Sequence, residues 1–177
     1  MPLTFYPSVV EQVSDAPDQE IGWSSFFAAN TKFLLNSRWK TLQPLSHLSN
    51  PATGDLRNKT WSLVCTGFNI PELSSVVGLE LNVSGQRNGR IVDEIIQLTY
   101  QGQKIGNNNF VYITDPDGNL PITNQTIYCG PTNFWGTTLT PTQLTDPTFG
   151  VVLKFQSHPY YPHLCGMIVD TVSLNIY

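Results

Sequence analysis

The sequence has few charged residues and few histidines, and both shortages limit the chemistry available to it. Lys, Arg, Asp and Glu make up 12% of the 177 residues, and only three histidines are present. Globular domains usually have about 25% charged residues. Proton-transfer catalysis needs a positioned acid or base, so this composition argues against an enzyme.

Other absences restrict the possible partners. No apolar run reaches the roughly 18 residues that a membrane-spanning helix needs. The formal net charge is −4 and the nine basic residues are scattered, whereas nucleic-acid binding depends on clustered Lys and Arg. We therefore expect neither a membrane nor a nucleic acid as a partner. The first residues lack the basic and apolar regions of a signal peptide, so synthesis in a host cytoplasm is expected.

The cysteine pattern excludes a disulfide framework. Cys65, Cys129 and Cys165 are odd in number and far apart, with no CxxC spacing. Cys65 lies in an apolar run, where a thiol behaves as a small buried hydrophobe. We expect buried free thiols and no cofactor.

The sequence divides into two regions that differ in hydrophobic periodicity. Residues 1–60 have weak periodicity and repeated breakers, which predict an extended N-terminal arm with short strands and a helical turn at 26–35. The breakers are Pro2, Pro7, Pro17, Pro44 and Pro51. From residue 61 to 177, short apolar runs alternate with Gly, Pro, Asn and Asp clusters, as in a β-sandwich.

Strict alternation supports an all-β fold, a single antiparallel β-sandwich of jelly-roll type. Val77, Leu79, Leu81 and Val83 fall on one face of a predicted strand. Val172, Leu174 and Ile176 do the same near the C-terminus. Gly-containing segments at 86–89 and 115–118 predict hairpin or turn connections. The predicted strands are 61–68, 75–84, 91–100, 110–113, 125–129, 149–155 and 167–176.

Two groups of acidic residues could in principle bind a metal ion or catalyse hydrolysis, but neither matches a known site. Asp115, Asp117 and Asn119 resemble the start of a calcium loop, but its glycine and terminal Glu are absent, so a plain turn is expected. Asp93 and Glu94 are adjacent, so on a strand they face opposite sides and cannot act as a glycosidase pair.

Residues 158–165 contain His158, His163 and Cys165, which are potential metal ligands. Their spacing matches no zinc pattern and a fourth ligand is not evident, so no metal is expected. The alternative is a rigid loop rich in Pro and Tyr that packs or contacts a partner.

Aromatic side chains are the better functional candidates, because they give large contact areas at interfaces. Phe134 and Trp135 either contact a partner or close one end of the sandwich. The candidate contact residues are Phe5, Tyr6 and Trp23 in the arm and His158, Tyr160, Tyr161 and His163 in the later loop.

An ordered set of motifs covers about 110 residues from Phe68 to the C-terminus. The segments are GFNIP (67–71), VVGLELNV (76–83), DEIIQL (93–98), KIGNN (104–108), FWG (134–136), LTP (139–141), FGV (149–151) and VDTV (169–172). In this order they resemble a β-sandwich domain of tailed-bacteriophage virion proteins. Within them, Thr140-Pro141 predicts the start of a short helical turn.

The resemblance implies a capsid decoration, or cement, protein on the virion surface. Such proteins bind the major capsid protein, often as homotrimers, and the arm would lie along a neighbouring subunit. A tail, fibre or other appendage module that binds a receptor or glycan is the alternative, followed by a carbohydrate-binding module outside any virus.

Overall fold

Nearly all the regular structure is β-strand. The computed structural model describes residues 1–16, 20–27, 37–41, 59–73, 75–88, 91–111, 125–157 and 166–177. The fold is all-β and sandwich-like, as the alternation predicted. The elements are β1 (Leu3–Phe5), β2 (Val9–Val13), β3 (Glu20–Ile21), β4 (Trp23–Phe27), β5 (Ser37–Thr41), β6 (Lys59–Thr60), β7 (Ser62–Thr66), β8 (Leu79–Asn88), β9 (Ile91–Tyr100), β10 (Gln103–Ile105), β11 (Gln125–Cys129), α1 (Pro141–Thr145), β12 (Gly150–Ser157) and β13 (Gly166–Ile176).

The strands form two sheets. Sheet A has the order β11-β8-β13-β5-β4, and β1 pairs with the C-terminal end of β13. Sheet B has the order β10-β9-β12-β6-β3, with β7 also beside β12 and β2 beside β7. Among the described pairings, β3 with β6 is parallel and the others are antiparallel.

The core is formed by the apolar half of each alternating strand. Leu79, Leu81 and Leu174 are each 0% exposed, as the sequence pattern predicted. Val77 does not follow the prediction, because β8 begins only at Leu79 and Val77 is 55% exposed. A Cβ at Gly78 would lie 2.4 Å from the Pro131 carbonyl oxygen, so the backbone is crowded just before the strand.

The short helix begins where the sequence predicted. The Thr140 side chain accepts a hydrogen bond from the Gln143 amide at 3.2 Å, and Gln143 Oε1 accepts one from the Thr140 amide at 2.9 Å. This reciprocal capping box satisfies two backbone donors at the helix start. Pro141 occupies the first turn, and Leu144 packs into the core.

The connection after β8 differs from the expected hairpin. β8 belongs to sheet A and β9 to sheet B, so the chain crosses between the sheets near residue 90. The Arg87 guanidinium follows this crossing and binds the Asp93 carboxylate at 2.8 Å. The turn residues at 86–89 therefore did not predict the change of sheet.

The described residues before 60 are part of both sheets and do not form a separate arm. β1 pairs with β13, and β2 pairs with all five residues of β7. The inward side chains of Phe5 and Val10 pack against the core. This burial of apolar side chains explains why the segment adds strands to the sandwich.

Two predicted elements also differ. Residues 26–27 of the expected helical turn at 26–35 lie in β4, which pairs with β5, while 28–35 lie outside the described residues. Phe110 and Val111 are not in a strand, and 112–113 lie outside the described residues.

Candidate interaction surface

Trp23 is a core residue and not an exposed contact residue, so that prediction is wrong. The side chain is 2% exposed and meets the Phe155 ring edge-on, with 6.1 Å between ring centroids. Its indole Nε1 donates a hydrogen bond to the Trp61 carbonyl at 2.8 Å. The chain crosses from β3 in sheet B to β4 in sheet A at this point, which places the ring between the sheets.

The other predicted contact residues divide into two groups. Phe5 and Tyr6 are half-buried near the N-terminus. His158, Tyr160, Tyr161 and His163 lie outside the described residues, and so do Cys165 and the 115–119 segment. The expectations for residues 115–119 and 158–165 therefore remain predictions.

Trp135 closes the sandwich, which confirms the packing alternative for this residue. It is 0% exposed, and its Nε1 donates a hydrogen bond to the Leu79 carbonyl at 3.0 Å. A Cβ at Gly106 would lie 2.3 Å from the Trp135 carbonyl oxygen, so only glycine fits there. The KIGNN and FWG segments therefore meet, and Phe134 is half-buried beside them.

An ion pair links the two sheets inside the sandwich. Arg87 Nη2 lies 2.8 Å from Asp93 Oδ1 and donates a hydrogen bond to the Tyr128 hydroxyl at 3.1 Å. The second Asp93 oxygen accepts a hydrogen bond from the Val111 amide at 3.0 Å. Burial, and then the Asp93 carboxylate, raise the pKa of Tyr128 well above its ordinary value. These groups satisfy one another and serve to hold the sheets together.

The outward face of sheet B has a second set of charges. Lys154 Nζ pairs with Glu20 and lies 4.0 Å from Glu94, while Lys59 Nζ lies 2.6 Å from Glu94. Glu94 and Asp93 thus point to opposite sides of β9, as predicted. Glu94 is the extra residue of a β-bulge opposite Lys154 and Phe155. These four charges lie in ion pairs, and those of Glu20 and Lys154 are almost completely buried.

The described thiols are free and poorly ionised. Burial raises the pKa of the Cys65 thiol to about 12 and that of Cys129 to about 11. Cys65 is buried, as predicted, whereas Cys129 is half-buried at the end of β11. A thiol with a raised pKa is a weak nucleophile at neutral pH because little thiolate is present.

A shallow cleft of about 280 Å³ crosses the outward face of sheet B. Val64, Val152 and Thr99 form its floor, with Glu11 on one side and Lys104 on the other. The lining also includes the carboxylate of Asp15 and the hydroxyl of Ser62.

A set of mainly neutral side chains on the outward face of sheet A is hydrogen-bonded across four strands. We call Thr4, Glu80, Asn82, Gln125 and Asn175 the amide ladder. Gln125 Nε2 donates to Asn82 Oδ1 at 3.0 Å, and Asn82 Nδ2 donates to Glu80 Oε1 at 3.3 Å. Asn175 Nδ2 donates to the same Glu80 oxygen at 2.9 Å, and Thr4 Oγ1 donates to Asn175 Oδ1 at 2.7 Å. The ladder holds short polar side chains in fixed positions on one face.

Two residues extend this face at its margins. The Tyr177 hydroxyl donates a hydrogen bond to Glu80 Oε2 at 3.4 Å. Partial removal from water, and then the Glu80 carboxylate, raise the pKa of Tyr177. On the β11 side, Ile127 is 54% exposed. The face therefore combines fixed polar groups with an apolar side chain.

Sequence reasoning did not single out the amide ladder. The polar residues that alternate with apolar ones at 79–84 and 171–176 predict that one side of each strand faces outward. They do not predict which of these side chains form hydrogen bonds with each other. Thr4 and Asn175 are 171 positions apart, so only the pairing of β1 with β13 brings them together.

Among the described residues, no group of three or more His, Cys, Asp or Glu could hold a metal ion. No helix in that part of the chain is long and apolar enough to span a membrane. Comparison with protein-family models, curated proteins and solved structures found no match.

Proposed function

We propose that the chain is a non-enzymatic structural protein that binds a flat protein surface through the outward face of sheet A. The observation that carries this proposal is the amide ladder, whose neutral side chains are already fixed by hydrogen bonds. Fixed side chains lose little conformational entropy when a partner covers them. Four of the five ladder residues are uncharged, so covering the ladder desolvates only one carboxylate.

The partner that we propose is the major capsid protein of a tailed bacteriophage, and the role is that of a capsid decoration protein on the virion surface. The ordered motifs from residue 67 to residue 172 support this setting through their resemblance to virion β-sandwich domains. Many identical copies on a symmetric shell gain avidity from contacts that are individually weak. Bound copies would hold adjacent capsid subunits together.

The structure changes which part of the chain is assigned to this contact. Residues 3–5 and 9–13 pair within the chain's own sheets, so binding is assigned to sheet A and not to an N-terminal arm. Removing those residues would damage the sandwich itself, because Phe5 and Val10 pack against its core.

The test is the binding of the purified chain to empty heads assembled from the major capsid protein encoded in the same genome. We expect saturable co-sedimentation with the heads and a rise in their melting temperature, because a ligand that binds only the assembled state stabilises it. A glycan array is the matched control, and no retained glycan is expected. Glycan binding without head binding would overturn the proposal in favour of a receptor-binding appendage.

A further inference from the structure

The cleft on the outward face of sheet B has charges of opposite sign on its two sides. It crosses β2, β7, β12, β9 and β10, which lie in that order. Glu11 lies in β2, Asp15 follows two residues after the end of that strand, and Lys104 lies in β10. Two carboxylates therefore lie on one side of the cleft and an ammonium group on the other.

These three charges have no partner of opposite sign in the described part of the chain. The ion pairs between described residues involve other side chains, and none includes Glu11, Asp15 or Lys104. All three residues are exposed. Lys154 and Glu20 on the same sheet are, by contrast, buried against each other. The charges of the cleft can therefore bind a ligand that carries the opposite charges.

The floor between these charges is apolar. Val64 and Val152 lie opposite each other in the register of β7 with β12. Val152 is only 5% exposed, so the floor is recessed, whereas Val13 at the margin is 47% exposed. An aliphatic group placed there would remove apolar surface from water. A complementary ligand thus has an apolar middle between a cationic end and an anionic end.

The width of the cleft favours a peptide over a single amino acid. β2 and β10 are four strand spacings apart, which is about 19 Å. One residue spans at most about 3.6 Å, whereas the first and last Cα atoms of five extended residues are about 13 Å apart. Long charged side chains at both ends can cover the rest. In an extended chain, residues i, i+2 and i+4 face the same side.

We propose that this cleft binds an extended segment of another polypeptide, with Lys or Arg at position i, an apolar residue at i+2 and Asp or Glu at i+4. The basic side chain pairs with Glu11 and Asp15, the apolar one covers Val64 and Val152, and the acidic one pairs with Lys104. The segment lies across the strands and needs no free strand edge. This inference goes beyond the proposed function, because head binding is assigned to the other sheet.

The first test uses the peptide Lys-Thr-Val-Thr-Glu, acetylated and amidated so that only its side chains are charged. Its titration into the isotope-labelled full chain should give saturable amide shift changes in NMR spectra at Val13, Val64 and Lys104. Lys-Thr-Val-Thr-Lys and Glu-Thr-Val-Thr-Glu are the matched peptides, and each should bind about tenfold more weakly because one of its ends meets a like charge. Equal binding of the three peptides, or equally tight binding of the short zwitterion aminocaproate, would overturn the proposal.

The second test reverses the charge on one side of the cleft. Lys104→Glu makes both sides negative, so Lys-Thr-Val-Thr-Lys should now bind about tenfold more tightly than the mixed peptide. A reversed preference requires a folded cleft, so damage to the fold could not imitate it. Gln103→Glu is the control and should keep the original preference, because adjacent residues of a strand face opposite sides. An unchanged preference in Lys104→Glu would contradict the proposal, whatever the outcome of head binding.

Discussion

The two outward faces of the sandwich use different side chains, although the inward faces of both sheets are apolar. Sheet B has Glu20, Lys59, Glu94 and Lys154 in close ion pairs. Sheet A has the amide ladder, in which Glu80 is the one ionisable member. Four charges of sheet B are thus paired internally, while the ladder of sheet A is built mainly from neutral side chains. The difference teaches that the alternation of a strand fixes which face is polar, but not what that polar face does.

The ion pairs of sheet B contribute to the stability of the fold. Lys154 is in the central strand β12, and Glu20 is in the outer strand β3, so their contact spans β6 between them. Both side chains are less than 10% exposed, and buried charges persist only when they are paired. Glu20 and Lys154 are therefore paired with each other within the chain.

The largest expected effect is that of Lys154→Met, which removes the positive charge next to Glu20 and Glu94. Breaking a buried ion pair leaves its partner uncompensated, and the free energy of unfolding should fall by about 3 kcal/mol. Urea denaturation monitored by tryptophan fluorescence measures this change.

Lys104→Met is the matched control, because Lys104 is exposed on β10 of the same sheet. Its loss should be within about 0.5 kcal/mol. Adding Glu20→Gln to Lys154→Met should recover part of the stability, since the unpaired carboxylate is then neutral. Equal losses for Lys154→Met and Lys104→Met would show that the buried pairs of sheet B are not structural.

A smaller effect is expected from Glu80→Gln in sheet A. Glu80 accepts hydrogen bonds from Asn82, Asn175 and Tyr177, and a neutral acceptor holds them less strongly. We expect the free energy of unfolding to fall by about 1 kcal/mol. The pKa of Tyr177 should also fall, because a nearby carboxylate disfavours the phenolate and its removal reverses that effect.

Denaturation and an NMR titration of ring-labelled tyrosine measure these two effects. Glu11→Gln is the control, since Glu11 is an exposed carboxylate on β2 of sheet B. It should change neither the stability by more than about 0.5 kcal/mol nor the titration of Tyr177. An unchanged Tyr177 titration in Glu80→Gln would mean that the Glu80 end of the ladder does not form in solution.

The longer strands could be predicted from sequence because their signal is local. β9 and β11 have the predicted bounds of 91–100 and 125–129. β13 begins one residue earlier than predicted, at Gly166, and ends as predicted at Ile176. The apolar period of two, together with Thr140-Pro141 at the helix start, depends only on neighbouring residues.

The N-terminal region could not be predicted in the same way. β1 and β3 have three and two residues, too few to establish a period. Their stability comes from partners distant in sequence, as Leu3 pairs with Ile176 and Glu20 with Lys59. Trp23 was misplaced for the same reason, since the core around it includes Phe155 from β12. Register between distant strands is not encoded in local composition.

The central claim is that the outward face of sheet A contacts the partner and that of sheet B does not. The most direct test compares Thr4→Arg with Val13→Arg, which add the same charge to exposed residues on the outward faces of sheets A and B. Thr4 is at the end of the amide ladder away from β11. Co-sedimentation with empty heads measures the affinity of each variant. We predict that Thr4→Arg weakens binding about tenfold, equivalent to about 1.4 kcal/mol, and that Val13→Arg leaves it unchanged. Equal binding by the two variants, or a loss confined to Val13→Arg, would contradict the claim.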